Sequence, residues 1–282
     1  MILQYSLSTR INDGHVFPIM LPTYNRLYFI YITLVDTSTI IKSSLEGSLL
    51  QRGDIILKIN EKGIMSLRDS LSVLIPTSNK GLLNKVINCC IYNYIHDGCI
   101  LSILRNNKKM NINEVSKRGH IVNSSSSPYY TISSDIGYVN LGKLKSSEIN
   151  NMINSLMNCS GLIFDWKNYP LNIVPWDIYR FLSSNKEFCY ALATQVDLSH
   201  IGAFYKHECI TQCPDELWQE SDKYKGKVVV LINESAISYA ETLAMSLRIL
   251  GATLIGTPTT GANGDIAHIS LPCGITMGGI GE

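Results

Sequence analysis

The spacing of hydrophobic and polar positions divides the chain into three stretches. Residues 1–26 are short and end in turn-like residues. Across 27–118, β-type runs alternate with helical ones. Leu27–Val35, LYFIYITLV, is rich in β-formers and predicts a buried strand. It is far shorter than the roughly 20 residues that span a bilayer. Gly53–Ile64 reads as a Gly-Asp turn, an apolar strand and a Glu-Lys-Gly turn. Cys99–Val115 reads as a hairpin closed at Asn106-Asn107. Helical stretches fall near 67–75 and 81–94. Residues 119–133, with the run Asn123-Ser124-Ser125-Ser126-Ser127-Pro128, read as a polar linker.

Residues 134–282 follow a different grammar, with alternating strand and helix patterns. IGYVNLG (136–142) and GLIFDW (161–166) predict strands, and KVVVLIN (227–233) is the clearest buried strand. Ile149, Ile153, Leu156 and Met157 recur at helical spacing within 146–158. A further helix follows Pro175, and another is expected over 236–250, before a strand at 252–257. The alternation predicts an α/β fold, a mixed β-sheet covered by helices, beside a smaller β-rich module.

Composition removes several function classes. Of the 282 residues, 24 are Lys or Arg and 23 are Asp or Glu, for a net charge of +1. That balance argues against a nucleic-acid partner, which needs an excess of cations, and against a polybasic membrane anchor. With 45% hydrophobic and 17% charged residues, the chain is globular. No transmembrane segment or signal-like start stands in the sequence. Its 8 cysteines are too sparse for a disulfide scaffold. His207, Cys209 and Cys213 cluster loosely, but no second pair stands at finger spacing, so no metal is expected.

Three places carry candidate chemistry. The first is the strand-to-helix junction Asn233-Glu234-Ser235-Ala236-Ile237-Ser238-Tyr239-Ala240-Glu241. A serine at a helix mouth stands beside unpaired N–H groups that could stabilise an oxyanion. The same Ser238-x-x-Glu241 spacing also reads as a capping box, which needs no catalysis. The second is Asp13-Gly14-His15, which holds a histidine just after a tight turn. It reads as a general base or as a loop histidine without a role. The third, Thr257–Asp265, contains glycine but lacks the lysine and spacing of a phosphate loop.

In order along the chain, Asp13-Gly14-His15, GDIILKIN, IGYVNLG, GLIFDWKNYP, KVVVLINESAISYAE and IGTPTTGANGD resemble the carboxy-terminal processing, or tail-specific, serine peptidases. The likeness spans nearly the whole chain and implies a crotonase/ClpP-like peptidase core with a PDZ-like domain. The boundaries it implies are an N-terminal segment 1–26, a PDZ-like domain 27–118, a linker 119–133 and a core 134–282. It places the nucleophile at Ser238 and one oxyanion-hole donor at the backbone N–H of Tyr239. A second donor is implied at Leu171 or Asn172, where the family often has a glycine pair. Many members use a Ser-Lys dyad, but Ala262 stands at the lysine place and no lysine follows Lys227. A branch resembling the tricorn-type peptidases takes a histidine base from just before the PDZ domain, the place of His15.

The resemblance also implies that the third, acidic catalytic residue lies beyond Glu282, so the chain is expected to be truncated at both ends. Asp265 and Glu241 are alternatives for that acid, although Glu241 reads better as helix-start structure. The expected activity is endopeptidase hydrolysis of extended or unfolded polypeptide, with a peptide end or extended segment held at the PDZ-like domain. No cofactor is implied. The resemblance suggests a periplasmic or other extracytoplasmic setting. The alternatives are a non-catalytic peptide-binding protein and an inactive fragment.

Overall fold

The structure is a computed structural model. It describes residues 17–18, 30–44, 48–75, 77, 79–95, 99–114, 127–167, 169–170, 172–195, 204–218, 223–263, 266–270 and 276–280. Among the sequence-derived site residues, His15, Leu171 and Asp265 lie outside the described residues, as do the side chains of His207 and Cys209. The chain divides into two units: Met1–Ser125 with Ile266–Ile280, and Ser126–Asp265 with Gly281–Glu282.

The first unit opens with β1 (Phe17–Pro18), β2 (Ile30–Val35), β3 (Ser38–Ser44), β4 (Ile55–Ile59) and β5 (Lys62–Gly63). Helices α1 (Ile64–Ser72) and α2 (Lys80–Tyr94) follow, then β6 (Cys99–Arg105) and β7 (Lys108–Glu114). The strands β2-β3-β4-β6-β7 lie in that order in an antiparallel sheet, with β5 on β4. The β6–β7 turn sits at Asn106 (φ 49°) and Asn107 (φ 60°), a left-handed pair that suits the strand twist. Alternation then sorts the faces: Leu101 and Ile103 are buried while Ile100 is exposed. The buried face packs with Ile64, Leu67, Ile87 and Ile91 of the two helices.

Leu27–Val35 is a correction. Its described part is an edge strand, half-buried at Ile32–Leu34 and exposed at Val35. The apolar run is continuous, but among the described residues β2 has only one sheet neighbour, so it lacks the cover of a central strand.

The second unit begins with β8 (Tyr129–Ser133), inside the stretch read as a linker. Its Tyr-Tyr-Thr-Ile residues are β-formers and pair antiparallel with β9 (Ile136–Asn140). Then come α3 (Ile149–Leu156), β10 (Gly161–Asp165), α4 (Pro175–Leu182), β11 (Glu187–Gln195), β12 (Phe204–Gln212), β13 (Lys227–Ile232), α5 (Tyr239–Ile249) and β14 (Thr253–Gly256). The sheet order is β14-β13-β10-β9-β8, parallel except at β8. This is the expected mixed sheet with helices. The central β10 is buried along nearly its whole length, as a parallel strand covered on both faces should be. Phe164 and Val230 meet Met152 of α3, Ile178 of α4 and Leu243 of α5 in one core.

Residues β11 and β12 form a separate antiparallel ribbon. The strand β16 (Thr276–Ile280) pairs with both β15 (Ile266–Ser270) and β1, and β15 and β16 belong to the first unit. Among the described residues, no helix is long and apolar enough to cross a membrane.

Candidate active site

Parallel strands deliver their carboxyl ends to one edge of the sheet. Asp165 of β10 is in register with Asn140 of β9 and Leu231 of β13. In open α/β sheets this is the edge where ligands bind. The chain leaves β13 at Ile232 and turns through Asn233–Ser238 before α5 begins. Asn233 shapes the turn: its side-chain oxygen accepts Ser235 N–H at 2.9 Å and its carbonyl accepts Ala236 N–H at 3.0 Å. The expected helix over 236–250 therefore starts only at Tyr239, because these residues serve the turn.

Ser238 sits at the mouth of α5 with φ 51° and ψ −118°. A side-chain-bearing residue in this region is strained by about 1–3 kcal/mol, and such strain concentrates at functional sites. A serine on a sharp strand-to-helix turn of this kind presents its hydroxyl outward. The two readings of Ser238-x-x-Glu241 separate here. Glu241 accepts Ser238 N–H at 3.0 Å, the glutamate arm of the box. The serine hydroxyl makes no cap hydrogen bond. Instead the Ser238 carbonyl accepts Glu241 N–H at 2.7 Å and Thr242 N–H at 3.2 Å. Backbone does the capping, and the hydroxyl takes no part in it.

Tyr239 N–H, the first of the helix, meets no acceptor among the described residues. The Tyr239 phenol reaches the Ile173 carbonyl at 3.4 Å, tying the start of α5 to the 172–173 segment. Burial raises the pKa of this phenol, with Asp177 and Tyr169 adding to the effect, so it stays a neutral donor. Asn172 is exposed and does not adopt a positive φ. Its carbonyl holds Ser146 N–H at 3.1 Å and also the Ser146 hydroxyl. Upstream, the buried Asp165 carboxylate accepts the Tyr138 hydroxyl at 2.6 Å and Lys167 N–H at 3.0 Å, and pairs with Lys167 Nζ at 3.3 Å. Burial foremost, then this bond, pushes the Tyr138 phenol up.

The loop after β14 closes on the serine turn. Ser238 N–H donates to the Ala262 carbonyl at 2.9 Å, and Thr260 N–H donates to the Ala236 carbonyl at 3.0 Å. Thr257 donates to Glu234 at 3.0 Å, and Thr242 to Asn263 at 3.2 Å. Gly256, at the head of the loop, has φ 139°, and a Cβ there would stand 1.9 Å from the Ile232 carbonyl oxygen. Only glycine lets β14 approach β13 so closely. Ala262 is fully buried, with both main-chain groups engaged by the serine turn and Glu241.

The structure thus brings Ser238, Tyr239 and the loop of Ala262 together. Sequence reasoning missed the part played by Glu241, Thr260 and Gly261. The buried Glu241 carboxylate accepts Gly261 N–H at 2.8 Å and Ala262 N–H at 3.0 Å, as well as Ser238 N–H. A glutamate three residues after a serine signals a helix start. Nothing local announces donors from a loop some 20 residues downstream.

Residues 184–278, about a third of the chain, match the model of Peptidase family S41. With the α/β fold, this match supports a serine peptidase, a hydrolase. Mature CPAF complexed with lactacystin is similar in fold, with a TM-score of 0.65 at 14% identity, covering 99% of this chain and 78% of that one. Mature CPAF alone gives a TM-score of 0.64 at 14% identity, with the same coverage. The photosystem II D1 C-terminal processing protease gives a TM-score of 0.45 at 13% identity, covering 95% of this chain and 72% of that one. No curated protein sequence matches the chain significantly.

Proposed function

We propose that the protein is a serine endopeptidase of the tail-specific kind, with Ser238 as its nucleophile and His15 as its base. The observation that carries this reading is the strained Ser238 turn, whose hydroxyl takes no part in capping α5. Ser238 Oγ attacks a peptide carbonyl carbon while its proton passes to the His15 imidazole. The carbonyl oxygen becomes an oxyanion, held by Tyr239 N–H and a second N–H at Leu171 or Asn172. The tetrahedral intermediate collapses, the C–N bond breaks, and the leaving amine takes the proton from His15. Water then attacks the acyl-enzyme, and His15 acts as base once more.

A histidine base fits the resemblance because Ala262 stands where many of the peptidases the chain resembles carry the lysine of a Ser-Lys dyad. Residues 27–118 are read as a PDZ-like module that holds an extended segment or free end of the polypeptide substrate. Among the described residues its edge strand β2 has no strand on its outer side, which suits strand addition.

Hydrolysis of a fluorogenic unfolded polypeptide tests the assignment. Wild type is expected to cleave it. Ser238→Ala and His15→Ala should each lose at least about 1,000-fold in kcat, as members of one catalytic unit do. Full activity in His15→Ala would remove the histidine base while leaving the serine. Full activity in Ser238→Ala would remove the reading altogether.

A further inference from the structure

Glu241 is 7% exposed, yet it carries a carboxylate. Carboxylates are rarely buried without compensation, and here the compensation comes almost wholly from backbone. Oε1 accepts Gly261 N–H at 2.8 Å. Oε2 accepts Ser238 N–H at 3.0 Å and Ala262 N–H at 3.0 Å; the Thr260 hydroxyl, which donates to the Ala236 carbonyl at 2.9 Å, stands 3.4 Å from it. Among the described residues, Glu241 has no cation within ion-pair distance. A helix start needs only the first of these bonds to Oε2. The others run to a different loop.

That loop is the one that closes on the nucleophile turn. Ala262 both donates to Glu241 and accepts from Ser238 N–H, so Ser238 N–H is shared between the carboxylate and the Ala262 carbonyl. Gly261 adopts φ 65°, which turns its N–H toward the carboxylate. Ser238 is itself held at φ 51°, a conformation the chain keeps only where surrounding bonds over-determine it. Three of the bonds that hold the turn and the loop, from Ser238, Gly261 and Ala262 N–H, converge on the Glu241 side chain.

We infer that Glu241 is a positioning residue: its buried carboxylate clamps the 260–262 loop onto the Ser238 turn and so keeps the serine in its strained, reactive conformation. The inference rests on the reading of Ser238 as nucleophile. Glu241 does not touch substrate. It acts through the Ser238 and Ala262 backbones, and the direction of the Tyr239 N–H follows from the same turn.

Glu241→Gln is the sharp test, because it keeps size and shape while one terminal oxygen becomes an NH2 that cannot accept a hydrogen bond. If the amide oxygen takes the two N–H donors of Oε2, the NH2 faces Gly261 N–H, donor against donor. Thr260→Val, an isosteric change that removes the hydroxyl bond from the same loop to the Ala236 carbonyl of the serine turn, serves as the milder second variant should Glu241→Gln fold poorly. Each is compared with wild type by the rate of fluorophosphonate labelling at Ser238, by thermal unfolding, and by amide hydrogen exchange at Ser238, Gly261 and Ala262.

Glu241→Gln is expected to slow labelling by about 100-fold, the scale of a misplaced reacting group, and Thr260→Val by about 10-fold. Amide exchange should quicken at Ser238, Gly261 and Ala262 in both variants, ahead of any global loss of structure. Labelling at the wild-type rate in folded Glu241→Gln overturns the positioning role and leaves the nucleophile standing. So does unchanged exchange at the three amides. Absence of labelling in wild type itself removes the nucleophile, and the positioning role with it.

Discussion

Two buried charges, one in each unit, are satisfied in opposite ways. Arg68 of α1 is 3% exposed and is held by side chains: Asn88 at 2.8 Å, Asn84 at 3.2 Å and Thr39 at 3.4 Å. Glu241 of α5 is held by the backbone of a loop. Side-chain partners on α2 and β3 fasten two helices to a sheet, and they can be altered one at a time. Backbone partners fix the path of the main chain, and here that path carries the strained serine. Burial lowers the pKa of the Arg68 guanidinium, with nearby Asp69 opposing the shift. The difference teaches that the amino-terminal charge stabilises packing, while the other shapes a site.

The largest effect that separates the two regions is expected at Ser238 itself. Ser238→Ala should abolish hydrolysis while leaving the thermal midpoint near wild type, since alanine keeps the Cβ and the same backbone path and the lost hydroxyl makes no cap bond. A fall in stability without loss of activity would contradict the assignment. Next in size is the crossing of two variants. Glu241→Gln should reduce labelling far more than stability. Arg68→Leu should do the reverse, leaving the Asn84 and Asn88 carbonyls without their donor at a cost of about 2–4 kcal/mol. Chemical denaturation and labelling on the same samples decide it. Equal losses of labelling in both variants would erase the contrast.

Much of the fold was legible in the residues. The apolar run at 161–166 and the helical spacing in 149–157 correspond to β10 and α3 because their periods match their burial; the run at 227–233, expected to be the clearest buried strand, is the strand β13 but is mostly half-buried, with only Val230 fully covered. The hairpin at Asn106-Asn107 was marked by residues that tolerate positive φ. Three features were hidden for physical reasons. The edge position of β2 depends on strand order, which local hydrophobicity does not encode. The ribbon of β11 and β12 mixes exposed Tyr205 and Ile210 with polar neighbours and shows no clean alternation. At the site, the Ser-x-x-Glu spacing could not tell a cap from a nucleophile. The backbone angles of Ser238 and the loop partners of Glu241 are features that this spacing does not encode.

A smaller, pH-dependent effect belongs to the first unit. Asp54 is 2% exposed, and burial alone would raise its pKa. Hydrogen bonds from Arg105, at 2.7 and 2.6 Å, and from Gln51 N–H, at 2.8 Å, outweigh burial and hold it below the usual value. A depressed folded pKa gives stability that is present above the unfolded pKa and lost as pH falls through the folded one. Wild type should therefore lose stability below the ordinary carboxylate range, and Asp54→Asn should remove that part of the dependence. An Asp54→Asn curve parallel to wild type would refute the linkage.

The smallest expected effect lies in the β6–β7 turn. Asn107→Ala, at φ 60°, should cost about 1 kcal/mol, the price of a left-handed alanine, and leave labelling unchanged. A neutral result in denaturant would mean that the turn relaxes to another type.

The account turns most directly on whether Ser238 is an activated nucleophile. Intact-mass and peptide mapping after treatment with a fluorophosphonate answers that question in one experiment. The predicted result is a single adduct on Ser238, absent from Ser238→Ala. An unmodified, demonstrably folded wild type, or an adduct on Ser235 instead, would contradict it.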